Sequence, residues 1–308
     1  EVEALAHGFA HGAQLLEVHR GMGRGVSADS GGPASSGKQL FCALLHRFSH
    51  KRRPGADKPD GTLPRMTAQP LPTLVLLPGL ASDAALWRDQ EPELRAHSGL
   101  AVKVSDAHAR HATLPEMAAG LLAEHPGPLL LVGTSMGGIL ALEVCRQAPQ
   151  RVVGLGLLGT SARPDTPELI ALRTQACALF AAGRMDELLR ANLMFAFHPD
   201  KLTARPELAQ DYLAMMDRAG AQQLIRQNQA IMARPDSRPL LASITCPTLV
   251  VCGESDQLTP PASSQELAQG IARAELHLLP TCGHLLTWEQ PEAVNGLLLG
   301  WLGRHFKR

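Results

Sequence analysis

Residues 129–138 read LLLVGTSMGG, and no other stretch limits the fold so tightly. Four apolar residues, Leu129 to Val132, suit a strand buried on both faces. The next five, Gly133-Thr134-Ser135-Met136-Gly137, fit G-x-S-x-G, and helix-forming residues follow from Gly138 to Val144. Strand, sharp turn and helix in that order hold a serine in strained backbone geometry, and Gly133 and Gly137 are where a Cβ would keep strand from helix. Ser135 Oγ then stands at the strand's carboxyl end. A helix starting at Met136 aims its free N–H groups and the positive end of its dipole at the same point, which favours an anionic oxygen there. In a chain with 28 glycines among 308 residues the pattern arises by chance as well. Its weight comes from this context and from two partners further along.

The surrounding chain alternates strands with amphipathic helices from residue 73 onward. Strands are expected at 73–77, 100–104, 129–132, 152–158, 248–252 and 275–279, with helices at 84–95, 114–124, 138–147, 263–272 and 291–306. Such alternation predicts an α/β fold: a mostly parallel sheet of about six strands with helices on both faces. The rhythm breaks once. Residues 161–243 hold no strand pattern and read as helices at 167–182, 185–195, 206–218 and 221–233, as a helical cap inserted over the sheet's carboxyl edge would.

Composition narrows the partners. Lys plus Arg equals Asp plus Glu at 29 each, so no global field draws the chain to nucleic acid or an anionic membrane. The longest uncharged stretch, 126–142, is interrupted by the glycine-rich turn and is no membrane span. The six cysteines show no C-x-x-C pair or dense spacing; reduced, buried thiols in a cytoplasmic protein are the expectation. Residues 1–65 differ from the rest, lacking Ile, Asn, Trp and Tyr and being rich in Gly, His, Arg and Ser. Mostly disorder is expected there, with a domain at 66–308 and with Met66 as the native start.

Two loops complete a catalytic constellation. After the strand at 248–252 comes Gly253-Glu254-Ser255-Asp256, and after the strand at 275–279 comes Thr281-Cys282-Gly283-His284. Ser135, Asp256 and His284 thus follow parallel strands in the chain order serine, acid, histidine. Ser135 is a weak nucleophile at its own pKa, so His284 must take its proton while Asp256 fixes the imidazole tautomer and stabilises the imidazolium. Glu254 and Asp165 stand as alternative acids. Leu76-Leu77-Pro78-Gly79-Leu80, directly after the first strand, supplies the fourth piece: an acyl-transfer site needs two backbone donors, and the natural pair is the N–H of Leu80 with that of Met136.

On these residues the chain from about 73 to 306 resembles a capped, single-domain α/β-hydrolase. The likeness is carried by LLPGLASDAALW at 76–87, VGTSMGG at 132–138, CPTLVVCGESDQLTPP at 246–261 and TCGHLLTWEQPEAV at 281–294. It implies a sheet with a helical cap, a Ser-His-Asp triad and hydrolysis of an ester or similar acyl bond. Groups of this kind include carboxylesterases, enol-lactonases and carrier-protein methyl esterases. Two features depart from it: Pro78-Gly79-Leu80 stands where many members carry His-Gly, and residues 66–71 leave no room for the antiparallel hairpin that usually precedes the first parallel strand.

The expected activity is therefore that of a serine esterase acting on a small acyl substrate without a cofactor. The same triad permits carbon–carbon cleavage or elimination, and the fold permits non-catalytic ligand binding. A serine at the elbow argues against chemistry that needs a carboxylate nucleophile. Asp106 to His111 is expected to be a solvated loop rather than a metal site, and Cys282 a packing residue. Met185, Met194, Met215, Met216 and Met232 on the insertion are expected mostly to pack, with some lining an acyl pocket. Arg163, Arg173, Arg184 and Arg190 are candidates to meet a substrate carboxylate.

Overall fold

The computed structural model describes residues 2, 4–8 and 71–306. Six strands form one wholly parallel sheet: β1 (Thr73–Leu77), β2 (Ala101–Val104), β3 (Leu129–Thr134), β4 (Val152–Leu158), β5 (Thr248–Gly253) and β6 (Ala274–Leu279). Their spatial order is β2-β1-β3-β4-β5-β6. The chain steps outward from β1 to β2 and then returns to pair β3 on the other side of β1. That reversal makes the carboxyl ends of β1 and β3 a topological switch point, where a crevice opens.

The strand sequences explain the burial. Leu74 and Leu76 of β1, Leu130 and Val132 of β3, and Leu249 and Val251 of β5 enter one core cluster. Their alternates Val75 and Leu77, Leu129 and Leu131, and Val250 enter the other. Period-two alternation thus feeds two cores, one on each face, so the central strands are apolar throughout. Trp87, Trp288 and Trp301 anchor the first core with no exposed surface.

All six expected strands form, with ends within two residues. The helix expected at 84–95 divides into a 3-10 turn, Ala84–Trp87, and a helix, Glu91–His97, because Pro92 lacks an N–H and fits only a helix's first turn. The two helices expected at 206–218 and 221–233 form one run, Glu207–Met232, kinked where Gly220 adopts φ 73°. Between β4 and β5 the described chain is otherwise helical, with Pro167–Ala181, Met185–Ala196 and Pro199–Ala204 as its other longer helices.

Within the segment expected to be disordered, residues 2 and 4–8 are helical, and Leu5 and Ala6 are buried in the first core beside Phe180 and Phe195 of the insertion. The remaining residues up to 70, including Met66 and the region before β1, lie outside the described ones. No described helix is long and apolar enough to cross a membrane.

Candidate active site

Ser135 sits at φ 50°, ψ −117°, between the end of β3 and the helix Met136–Gln147. A non-glycine residue at positive φ costs on the order of 1–3 kcal/mol, so its surroundings must enforce it. They do so by close approach. A Cβ at Gly133 would stand 2.3 Å from the Gly137 carbonyl, and one at Gly137 would stand 2.1 Å from the Leu77 carbonyl oxygen at the end of β1. The Ser135 N–H donates to Leu158 O of β4 at 2.9 Å, and Thr160 Oγ1 donates to Ser135 O at 2.7 Å. Both neighbouring strands therefore grip the turn.

Asp256, 3% exposed, is the acid that meets His284. Its Oδ1 accepts the N–H groups of Leu258 and Thr259, both at 2.9 Å. Its Oδ2 accepts Thr259 Oγ1 at 2.8 Å and stands 2.8 Å from His284 Nδ1. A carboxylate only accepts, so Nδ1 carries the proton and Nε2 is left as a base. Burial pulls the His284 pKa down, but the charge of Asp256, its hydrogen bond and the charge of Glu289 together push it above the ordinary imidazole value. Gly159 takes φ 50° after β4, which favours glycine, and a Cβ there would sit tightly at 3.2 Å from Asp256 Oδ2 and in ordinary contact at 3.5 Å from His284 Nδ1. The alternative acids are elsewhere. Glu254 is exposed, and Asp165 pairs with Arg173 at 2.7 Å and Arg234 at 2.9 Å.

The turn after β1 brings Gly79 against Ser135, its Cβ position 3.5 Å from Ser135 Cβ. Ser82 N–H donates to Gly79 O at 3.2 Å, closing the turn, and Ala81 takes φ 52°. That strained residue is held from the insertion, where Gln227 Oε1 accepts the Ala81 N–H at 2.6 Å. Gln227 Nε2 donates in turn to His108 O at 2.9 Å, and His108 Nε2 donates to Ser82 O at 2.8 Å. The expected solvated loop at Asp106 to His111 is thus corrected in part: Ala107–Arg110 is a helical turn and His108 is 3% exposed. Burial lowers the His108 pKa, which keeps it neutral in this role.

Ser135, His284, Leu80 and Met136 all line one cavity of about 220 Å³ roofed by the insertion. Its walls are largely apolar, with Phe180, Leu188, Leu189 and Met216 from the insertion. Of the five insertion methionines, Met216 alone reaches this cavity among the described residues. Met215 is buried in the core and Met194 is 53% exposed. Arg163 and Arg173 line the cavity, the first in a two-bond pair with Glu266 at 2.7 and 2.8 Å. Arg184 and Arg190 instead pair with Glu187 and Asp186 on the surface. Arg234, absent from the named candidates, lines the cavity beside Asp165. Cys282 is fully buried, its thiol pushed up by burial and by the charges of Glu289 and Asp256, as suits a packing residue.

Sequence reading missed Gln227 and Glu289. Gln227 carries no local signal, since its partner Ala81 lies 146 positions away. Glu289 had one: a lone acid ending the run Leu285-Leu286-Thr287-Trp288, where a charge needs a buried partner.

A model of the alpha/beta hydrolase family matches residues 74–297. The chain belongs to the alpha/beta hydrolase family. This hydrolase is 29% identical over 244 residues to a Serratia proteamaculans protein named as a carbamate hydrolase, RutD, covering 75% of this chain and 91% of that one. It is 30% identical over 181 residues to a 2-hydroxy-6-oxononadienedioate/2-hydroxy-6-oxononatrienedioate hydrolase of Klebsiella pneumoniae, covering 56% and 62%. A thermophilic esterase from Thermogutta terrifontis superposes with a TM-score of 0.69 at 28% identity, over 77% of this hydrolase and 91% of the esterase.

Proposed function

We propose that this alpha/beta hydrolase is a serine hydrolase that cleaves a small carboxylic ester, thioester or lactone through an acyl-enzyme, with no cofactor. One observation carries the reading. His284 Nδ1 is tied to buried Asp256 at 2.8 Å, and the imidazole shares a cavity with a serine held at positive φ between two strand ends.

In this mechanism His284 Nε2 takes the Ser135 proton as Oγ attacks the acyl carbon. The new oxyanion is met by the N–H groups of Leu80 and Met136, the second strengthened by the helix dipole. His284 then gives its proton to the leaving group, Ser135 keeps the acyl group, and a water activated by His284 releases the acid. Asp256 stabilises the imidazolium at each stage. The largely apolar walls suit an uncharged acyl or alkoxy portion of modest size. A carbamate, as in the Serratia relative's name, is an acyl bond open to the same steps.

A second reading, carbon–carbon hydrolysis on the same triad, is favoured by the Klebsiella relative's name. The two separate on a panel of p-nitrophenyl esters of increasing acyl length, assayed with the wild type and with Ser135→Ala. Turnover that Ser135→Ala loses by several orders of magnitude supports ester hydrolysis. No turnover of any ester favours the carbon–carbon reading.

A further inference from the structure

We propose that Glu289 is a positioning residue whose buried carboxylate ties the main chain on both sides of His284 to the insertion, and so sets where the imidazole stands. This rests on the reading of His284 as the base.

Glu289 ends the short helix Leu286–Glu289 and is 3% exposed. Its Oε2 accepts the N–H groups of Gly283 and His198, both at 2.9 Å, and its Oε1 accepts the N–H of Leu285 at 3.1 Å. Three backbone donors converging on one side chain fit an ionised carboxylate, which offers only acceptors. Gly283 and Leu285 are the two neighbours of His284. His198 belongs to the insertion, two residues beyond the helix Met185–Ala196. The remaining donor is satisfied at the same seam: Ala196 O accepts His284 N–H at 3.0 Å and Leu285 N–H at 3.1 Å. Every main-chain N–H from Gly283 to Leu285 thus ends on Glu289 or on the insertion.

Close packing at the seam is an independent sign of the same coupling. A Cβ at Gly283 would lie 2.7 Å from His198 N and 2.8 Å from the Phe197 carbonyl carbon. Gly283 is therefore needed for backbone-to-backbone approach between the histidine loop and the insertion. Buried among Cys282, Leu286 and Trp288, these hydrogen bonds act in a low dielectric, where they are strong and their loss is felt. Asp256 fixes the imidazole ring, and Glu289 fixes the backbone that carries it. A shift of the insertion at Ala196 to His198 is then transmitted to the catalytic base.

Among the described residues, the charged and titratable groups facing Glu289 are His284, Asp256 and Cys282 on the sheet side, with His198 from the insertion and Arg205, which donates to the neighbouring Trp288 O at 2.9 Å. The Glu289 charge adds to that of Asp256 in favouring the imidazolium. Removing it lowers the His284 pKa, an effect that packing alone does not produce.

Glu289→Gln keeps the size but turns an amide N–H2 toward one of the three donors. Steady-state kinetics on the ester turned over best should give a kcat lower by about ten- to a hundred-fold with KM little changed. The acid limb of kcat/KM should move to lower pH, as should the His284 ring titration, followed by NMR in the substrate-free enzyme and assigned with His284→Gln. Glu289→Asp, which keeps the charge on a shorter stem, should restore the limb without restoring kcat. Wild-type kcat in Glu289→Gln, or a lost kcat with an unmoved His284 titration, overturns the proposal. If Glu289→Gln does not fold, Glu289→Asp is read alone, because its shorter stem keeps the charge but cannot reach all three donors at once. It should lower kcat several-fold, and an unchanged kcat overturns the proposal. Activity surviving in Ser135→Ala would instead sink the serine reading, while the NMR titration tests Glu289 without turnover.

Discussion

The floor and the roof of the cavity are built by different physics. The floor, at the carboxyl ends of β1, β3 and β4, is fixed by backbone contact: Gly133 and Gly137 have no room for a Cβ, and Ser135 is hydrogen-bonded to the next strand at 2.9 Å. Away from its backbone seam with the histidine loop at Ala196 to His198, the roof is fixed by side chains, through apolar packing and through Asp165 held between Arg173 and Arg234. Backbone contact tolerates few residue types and so leaves a pattern in the sequence. Side-chain packing accepts many solutions and leaves little. On the proposed function, chemistry is accordingly expected to reside in the floor and substrate choice in the roof.

Four substitutions probe that division. The largest effect is expected on the catalytic side. Asp256→Asn leaves His284 buried but strips the charge and the charge-assisted bond that raise its pKa above the ordinary imidazole value. The imidazole titration then falls, the acid limb of kcat/KM moves to lower pH, and kcat drops by about 10³–10⁴. In the wild type the same limb should lie above the ordinary imidazole range, because a raised pKa must be exceeded before Nε2 is free to accept a proton.

Asp165→Ala attacks the roof where it most resembles the floor. Asp165 is 1% exposed at its side chain, and burial already pulls Arg234 down to about 10 despite that partner. Losing the carboxylate from such a site costs about 3–5 kcal/mol of stability, readable in a denaturant titration. Gln227→Ala comes next. It strands the buried Ala81 N–H, for a loss of about 1–3 kcal/mol, and frees the turn that carries Leu80, so kcat should fall with KM little changed. The smallest effect belongs to Met216→Leu, a volume-conserving change of less than about 1.5 kcal/mol. It should shift the preferred acyl length while leaving the pH profile where it was.

The same division explains what could be read from sequence. All six strands were legible because their apolar runs are local and bounded by turn residues. Ser135, Asp256 and His284 were placed after β3, β5 and β6 because parallel strands deliver their loops to one edge. His108 was misjudged as solvated because its neighbours Asp106 and Arg110 are polar, while its burial comes from Gln227 and Ser82 at long range. Gln227 and Glu289 act through backbone groups that any residue carries, so their partners leave no trace in side-chain pattern. In the insertion the helices Pro167–Ala181 and Met185–Ala196 were legible, whereas the kinked run Glu207–Met232 reads from sequence as two helices and the short Pro199–Ala204 and Arg238–Leu241 leave no periodic signal. Which of the insertion's faces would turn toward Ser135 was not legible.

Nucleophilic attack by Ser135 is tested by trapping the acyl-enzyme. The enzyme is incubated with a fluorophosphonate or a slowly deacylating p-nitrophenyl ester, digested, and its peptides mapped by mass spectrometry. One covalent adduct per chain, located on Ser135 and absent from Ser135→Ala, is the expected result. An adduct on another residue, or none while the ester is being turned over, would contradict nucleophilic catalysis by Ser135.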